Sequence, residues 1–160
     1  MTRVLSPALF CGALLLLSAL LSADAQTSSG VRFLNPPTMA KPPGYTHVVE
    51  VTGPGRTVYI AGQLGYDAKG QQGKDFREQA TLVYENLKAA VESVGGKMEN
   101  VVKLNAFLTD IRAQLPIYRE VRDKFINTGA PPASTTLEVP KLARDGALIE
   151  VEAIAILPAR

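Results

Sequence analysis

A run of alternating side chains near the C-terminus constrains the fold of this chain most strongly. Side chains of an extended strand point to opposite faces in turn, so one face of this run carries Leu148, Glu150, Glu152, Ile154 and Ile156. Two glutamates therefore interrupt a strand face that is otherwise aliphatic. A buried carboxylate is unfavourable unless it is paired, hydrogen-bonded or protonated. This face must be wet, or it must line a site.

The first 25 residues have the pattern of a signal peptide. Arg3 supplies a positive start, and the apolar run at 10–21 is too short to favour a membrane span. Ala23-Asp24-Ala25 then provides a small-residue cleavage pattern. An uncleaved anchor is the alternative. A lipoprotein does not fit, because the apolar run follows Cys11 instead of preceding it. We expect cleavage after Ala25, export to the periplasm or beyond, and no membrane attachment afterwards.

Composition excludes several classes of site from the mature chain. Cleavage removes Arg3 and Asp24, so the net charge stays at +2, and it also removes Cys11, the one cysteine. A single histidine, His47, rules out multi-histidine zinc clusters, and no G-x-S-x-G turn accompanies it. We therefore predict neither a metal nor a cofactor. The small net charge and the lack of a basic run argue against nucleic-acid binding.

Hydrophobic periodicity predicts one α+β domain at 45–160, preceded by a flexible leader and Pro-rich extended loop at 26–44. Asp75 and Glu78 form a capping-box pattern at the start of a helix that ends at Gly95-Gly96. A second helix is predicted to start at Leu115 or Pro116. Predicted strands are 47–51, 57–61, 102–108, 135–139 and 148–157. This order allows both helices to cover one face of a single mixed six-stranded sheet, and the uncovered face then predicts self-association.

Five stretches in register resemble the RidA/YjgF family, the reactive-intermediate deaminases. They are PPGYTHVVEV (42–51), VYIAGQLG (58–65), QATLVYENLKAAVESVGG (79–96), VVKLNAFLTD (101–110) and PPASTTLEV followed by IEVEAIA (131–139 and 149–155). The resemblance begins near residue 31 and covers nearly all of the chain after it. It implies a chorismate-mutase-like α+β fold, a homotrimer, and small-molecule clefts between the subunits.

The resemblance also implies site residues, at Tyr45, Gly62, Ser134 and Glu150. Deaminases of this family hydrolyse the imine or enamine forms of 2-amino acids to ammonia and a 2-oxo acid. Glu150 would hold or polarise the water in that reaction. Gly62, which has no Cβ, would let its backbone N–H approach the ligand, and Tyr45 would offer a phenolic donor.

Ser134 departs from the family pattern. Family deaminases carry an arginine at this position, four residues before the glutamate that corresponds to Glu138. A guanidinium holds a carboxylate bidentately, which a hydroxyl cannot do. Arg144 and Arg56 are the replacement cations that the sequence suggests; alternatively, the site takes a neutral or cationic ligand. A second departure is Ala61, where many family deaminases carry serine.

Two functions therefore stay open at the level of the sequence. One is a hydrolase acting on C=N bonds, of the 2-iminobutanoate/2-iminopropanoate deaminase type. The other is a non-catalytic trimeric module that binds a small molecule in the same clefts. Simpler structural roles are predicted for the remaining polar candidates. These are pairing with a lysine or a neighbouring subunit for Glu152, solvent or a subunit boundary for Glu138, hydrogen bonding for Asn86, and a surface or packing position for His47.

Overall fold

The computed structural model describes residues 30–160, so the predicted signal peptide lies outside the described residues. The elements in chain order are β1 (Val31–Leu34), β2 (Val48–Val51), β3 (Gly55–Leu64), α1 (Phe76–Ser93), β4 (Val101–Leu108), α2 (Ile111–Arg122), β5 (Ala133–Glu138) and β6 (Ile149–Pro158). Across 30–160, neither helix is long and apolar enough to cross a membrane.

The strands form two sheets, which corrects the prediction of a single six-stranded sheet. β1 and β2 pair with each other, and the other four strands are ordered β3-β6-β4-β5, with β4 and β5 parallel. The separation begins just after β2. There the Thr52 N–H donates to the Gly30 oxygen at 2.9 Å, beside β1, and Pro54 has no N–H to add to a ladder with β3. The α+β class with mixed strand directions is confirmed.

Strand β1 lies within the stretch predicted as leader and loop. It pairs antiparallel with β2 in a register that places Val31 opposite Val51. Arg32 and Glu50 form an exposed ion pair across this hairpin at 2.8 Å. Four residues are too few for a period of two to stand out from the sequence, which explains why the strand was missed.

Helix α1 matches its prediction, whereas α2 begins about one turn earlier than predicted. Asp75 caps α1 by accepting from the Glu78 N–H at 2.9 Å. At α2, Asp110 accepts from the Ala113 N–H at 3.0 Å, and the Glu138 carboxylate accepts from the Ile111 N–H at 2.7 Å. These two carboxylates stabilise a start at Ile111 and leave Pro116 inside the helix. Glu138 is therefore a helix cap and not merely a surface residue.

Both helices pack on one face of the four-stranded sheet, as predicted. β4 directs Leu104, Ala106 and Leu108 into this core, and all three are fully buried. The opposite face is open, and its Tyr59 is 78% exposed. On β6 the odd positions from Ile149 to Leu157 are buried, whereas Glu150 and Glu152 point to the open face. The predicted alternation of this strand is confirmed.

A buried glutamine connects α1 to two loops of the sheet. The Gln79 amide nitrogen donates to the carbonyl oxygens of Gly73 and Gly146, and its amide oxygen accepts from the Leu148 N–H at 2.8 Å. Because its side chain is 2% exposed, these bonds replace water completely. The loops after β3 and before β6 are therefore held at one end of the sheet.

Candidate functional site

A β-bulge brings Gly62 against Glu150. Ile60 pairs with Ala153 and Gln63 pairs with Val151, so Ala61 and Gly62 together oppose the single residue Glu152. A Cβ built on Gly62 would overlap the Glu150 carboxylate oxygen Oε1 and lie 2.9 Å from its Cδ. Only glycine leaves room for the carboxylate here. We call Gly62 and Glu150 the glutamate half-site.

The two glutamates of β6 have different surroundings. The Glu152 carboxylate accepts a hydrogen bond from the Asn105 amide at 2.8 Å, so within the described chain its partner is an amide and not a lysine. Glu150 is half-buried, and its carboxylate has no hydrogen-bond or ion-pair partner within residues 30–160. Glu150 is thus the carboxylate that is available to a ligand.

A cavity of about 360 Å³ lies on the β3 side of the glutamate half-site and includes Gly62, Tyr66, Asn86 and Arg144 in its lining. The Arg144 guanidinium lies over the Tyr66 ring, 5.3 Å from its centroid. Asn86 donates to the backbone oxygens of Leu64 and Tyr66, which confirms its structural role. Arg144, one of the two cations suggested by the sequence, therefore lies near Gly62 and not near Ser134.

Tyr45 and Ser134 line a different cavity, beneath α2. This cavity, of about 220 Å³, is lined by Pro43, Tyr45, Ile111, Leu115, Arg119, Arg122, Ser134 and Thr136. The four helical residues are spaced by three or four positions, so they form one face of α2. Ser134 and Thr136 face them from β5. We call this space the α2 cavity.

Tyr45 reaches the α2 cavity because its loop is bonded to the chain just before β5. The Thr46 hydroxyl donates to the Pro131 oxygen at 2.6 Å, and the Thr46 N–H donates to the Pro132 oxygen at 3.3 Å. His47 packs its ring edge-on against Tyr45, with centroids 5.4 Å apart, while its Nε2 lies 2.8 Å from the Ala40 oxygen. The predicted packing role of His47 is thus confirmed.

Ser134 lies near a buried tyrosine, Tyr118, which is bonded in turn to a second one, Tyr84. The Tyr84 hydroxyl donates to the Tyr118 hydroxyl at 3.1 Å, and burial raises the pKa of both phenols above the ordinary value of 10.0. The Tyr84 hydroxyl and the Arg122 guanidinium stabilise the ionised form of Tyr118 and partly offset the rise in its pKa. Ser134 Oγ is itself buried and is the one such side-chain atom in 30–160 without a hydrogen-bond partner.

The four predicted site residues thus fall into two pairs on opposite faces of the sheet. Glu150 pairs with Phe107 of β4 on the open face, and Ser134 pairs with Leu104 on the helix face. Glu150 and Ser134 are two strands apart, which corresponds to about 10 Å, and they are also displaced by a similar distance along the strand direction. Glu150 therefore cannot contact a ligand beside Ser134 of the same chain without passing through the sheet.

Sequence reasoning missed Arg119 and Arg122, the two cations of the α2 cavity. The available signal was the four-residue spacing from Tyr118, which lies on the buried stripe of α2, to Arg122. Within one chain Arg56 does not line the α2 cavity, because its guanidinium donates to the oxygens of Val94 and Pro158 at the far end of β3. Among residues 30–160, no three His, Cys, Asp or Glu side chains are grouped as metal ligands would be.

Comparison with known proteins identifies the family. A family model described as Endoribonuclease L-PSP matches residues 38–157. A 2-iminobutanoate/2-iminopropanoate deaminase from Dermatophagoides farinae is 33% identical over 79% of this chain and 96% of that protein. The deaminase of the same name from Salmonella typhimurium is 35% identical over 64% of this chain and 81% of that protein.

Solved structures agree with this result. A Rid-family protein of unknown function from Yersinia pestis superimposes with a TM-score of 0.72 at 33% identity, over 80% of this chain and 99% of that one. RidA from an Antarctic Psychrobacter gives a TM-score of 0.60 at 34% identity, over 74% and 92% of the two chains. With its fold and its sequence matched over most of its length, the chain belongs to the RidA/YjgF family.

Proposed function

We propose that this protein hydrolyses the imine or enamine forms of small 2-amino acids. Water adds to the C=N carbon, the C–N bond breaks, and ammonia and a 2-oxo acid leave. The observation that carries the proposal is the Glu150 carboxylate, which is half-buried against Gly62 and has no partner within 30–160. Such a group can take a proton from the attacking water and return it to the leaving nitrogen. The names of the mite and Salmonella relatives support this reaction class.

We also propose that the site forms between chains, in a homotrimer. The glutamate half-site and the α2 cavity lie on opposite faces of one sheet, so a ligand that touches both needs two chains. The open sheet face supports association, because a groove of about 350 Å³ crosses it between the exposed Tyr59 and Glu152. The number three comes from the family resemblance. Export through the predicted signal peptide is part of the same proposal.

Replacing Glu150 by glutamine tests the reaction. Glu150→Gln keeps the shape of the side chain and removes the base, so ammonia release should fall by about 10²- to 10⁴-fold. The substrate is generated in the cuvette from an amino acid by an amino-acid oxidase. Glu152→Gln is the matched control, since it lies on the same strand face and has a partner in Asn105. If wild-type protein does not accelerate release over buffer, while still binding 2-oxo acids, it is a binding module and not a hydrolase.

A further inference from the structure

The α2 cavity contains a buried cation, Arg122, that has no part in the proton transfer proposed for Glu150. Arg122 is 4% exposed, although burying a guanidinium is unfavourable without compensation. Its Nε and Nη2 lie 2.9 and 2.7 Å from Asp123 Oδ1, and its Cζ lies 5.7 Å from the centroid of the Tyr118 ring. Asp123 is 44% exposed, so its compensation is weakened by water.

The backbone around this guanidinium is shaped to admit it. Gly44 adopts a φ of +93°, and a Cβ at that position would lie 2.7 Å from Arg122 Nη2. Glycine here satisfies the turn and also leaves room for the guanidinium, immediately before Tyr45. Within 30–160, Arg122 Nη1 has no hydrogen-bond acceptor, so the fork keeps donors for a second anion.

A second positive charge faces the same space. Arg119 lies one turn before Arg122 on the same helix face, is exposed, and has no ion-pair partner in the described part of the chain. The residues that line the α2 cavity include these two guanidinium groups and no carboxylate. Asp123 pairs with Arg122 from outside the lining, and the Glu138 carboxylate is bonded to the Ile111 N–H at the start of the helix, so the lining itself is positively charged. The partnerless Ser134 Oγ lies across from them and adds a polar group, not a charge.

From these contacts we infer that the α2 cavity binds the carboxylate of a small 2-imino or 2-oxo acid through Arg122, assisted by Arg119. Helix α2 thus supplies the cation that strand β5 lacks at Ser134. The apolar lining from Ile111 and Leu115 suits a short aliphatic side chain, and the volume of about 220 Å³ limits the ligand to a few carbons. The choice of substrate rests on the proposed function, whereas anion binding does not.

Binding of 2-oxobutanoate, measured by calorimetry on the full mature protein, tests this inference without requiring turnover. Arg122→Gln should raise the Kd about 10- to 100-fold, and Arg119→Gln should raise it about 3- to 10-fold. Arg112→Gln is the matched control, because it removes an exposed arginine of the same helix that does not line the cavity. Its Kd should equal that of wild type.

A variant with the opposite expected effect keeps the inference testable even if Arg122→Gln does not fold. Asp123→Asn removes the carboxylate that competes for Arg122, so 2-oxobutanoate should bind about 3- to 10-fold more tightly. The inference is overturned if wild type does not bind 2-oxobutanoate, if neither arginine of α2 affects the Kd, or if Arg144→Gln alone weakens it. Arginine-dependent binding without ammonia release would sustain the inference and reject the proposed reaction. Ammonia release with an unchanged KM in Arg122→Gln would support the proposed reaction and overturn the inference about Arg122.

Discussion

The glutamate half-site and the α2 cavity are built by different means. The first depends on backbone geometry: a bulge in β3 places a residue without a side chain against a carboxylate of β6. The second depends on side chains that converge from a helix, a strand and a loop, and its charge comes from the helix. The first presents a carboxylate beside backbone, and the second presents the guanidinium groups of Arg119 and Arg122. Under the proposals above, the proton-transferring group and the carboxylate-binding group of one cleft are therefore built on separate elements of the fold.

After the loss of the Glu150 carboxylate itself, the largest expected effect comes from filling the space at the bulge. Gly62→Ala places a methyl group where the Glu150 carboxylate lies, so the carboxylate must move by about an ångström or more. Displacement of a reacting group on this scale lowers turnover about 100-fold. Because the displaced atoms end a flexible side chain, the free energy of unfolding should change by less than about 1 kcal/mol. Steady-state ammonia release and urea denaturation measure the two quantities.

A suitable control for this change is Gly129→Ala, whose added Cβ meets only Asn127 Oδ1, at 3.3 Å. It should leave turnover near the wild-type value. Full activity in Gly62→Ala would mean that Glu150 does not act from the position seen here, and the bulge would then have no part in the reaction.

Mixing two impaired variants at a limiting substrate concentration tests whether the glutamate half-site and the α2 cavity of one cleft come from different chains. One variant is Glu150→Gln, and the other carries Arg119→Gln with Arg122→Gln. If each cleft takes one half from each neighbour, random co-assembly restores about a quarter of the clefts. Ammonia release after co-expression should then rise well above that of either variant alone. No recovery in mixed trimers, verified by mass, would mean that the glutamate half-site and the α2 cavity do not form one cleft.

The fold was largely predictable because its main signals are local. The cap at Asp75, the stripe of α1 and the alternation of β6 each appear in a short window of sequence, and all three are confirmed. The start of α2 was predicted wrongly because one of its caps, Glu138, is remote in sequence. The separation of β1 and β2 from the main sheet depends on hydrogen bonds near Thr52 that no periodicity reveals.

Prediction of the site was partial for the same reason. Gly62 and Glu150 could be paired only through the family resemblance, since the bulge that joins them is a tertiary feature. Arg122 has an ordinary surface-like sequence context, and it becomes a buried cation only because the loop at Gly44 covers it. Charge inside a cavity depends on what packs over it, and that information is distributed along the chain.

A smaller effect is expected from the hydroxyl that holds Tyr45 in place. Thr46→Val removes the hydrogen bond to the Pro131 oxygen and leaves that oxygen unsatisfied beside a residue that is 2% exposed. The free energy of unfolding should fall by about 1–3 kcal/mol, measured by urea denaturation. The effect should also raise KM through Tyr45 and leave kcat nearly unchanged, since Glu150 lies on the other face of the sheet. An equal loss of kcat would show that the α2 cavity and the glutamate half-site do not act independently.

The smallest effect should be a loss of stability at alkaline pH, caused by Tyr84 and Tyr118 next to the α2 cavity. Burial raises the pKa of Tyr84 and Tyr118, so both stay protonated in the folded state while unfolded tyrosines ionise near pH 10. The unfolded state then binds fewer protons than the native state, and stability must decrease as pH rises above about 10. Each phenol contributes at most about 1.4 kcal/mol per pH unit to this slope. The informative quantity is the difference between wild type and Tyr84→Phe, measured by urea denaturation from pH 9 to 11, because groups common to both proteins cancel. Removing one phenol should make the slope shallower by about one proton. Equal slopes in the two proteins would show that the buried tyrosine pair does not contribute to this loss of stability, and the side chains beneath the α2 cavity would then not be shielded from water as their burial indicates.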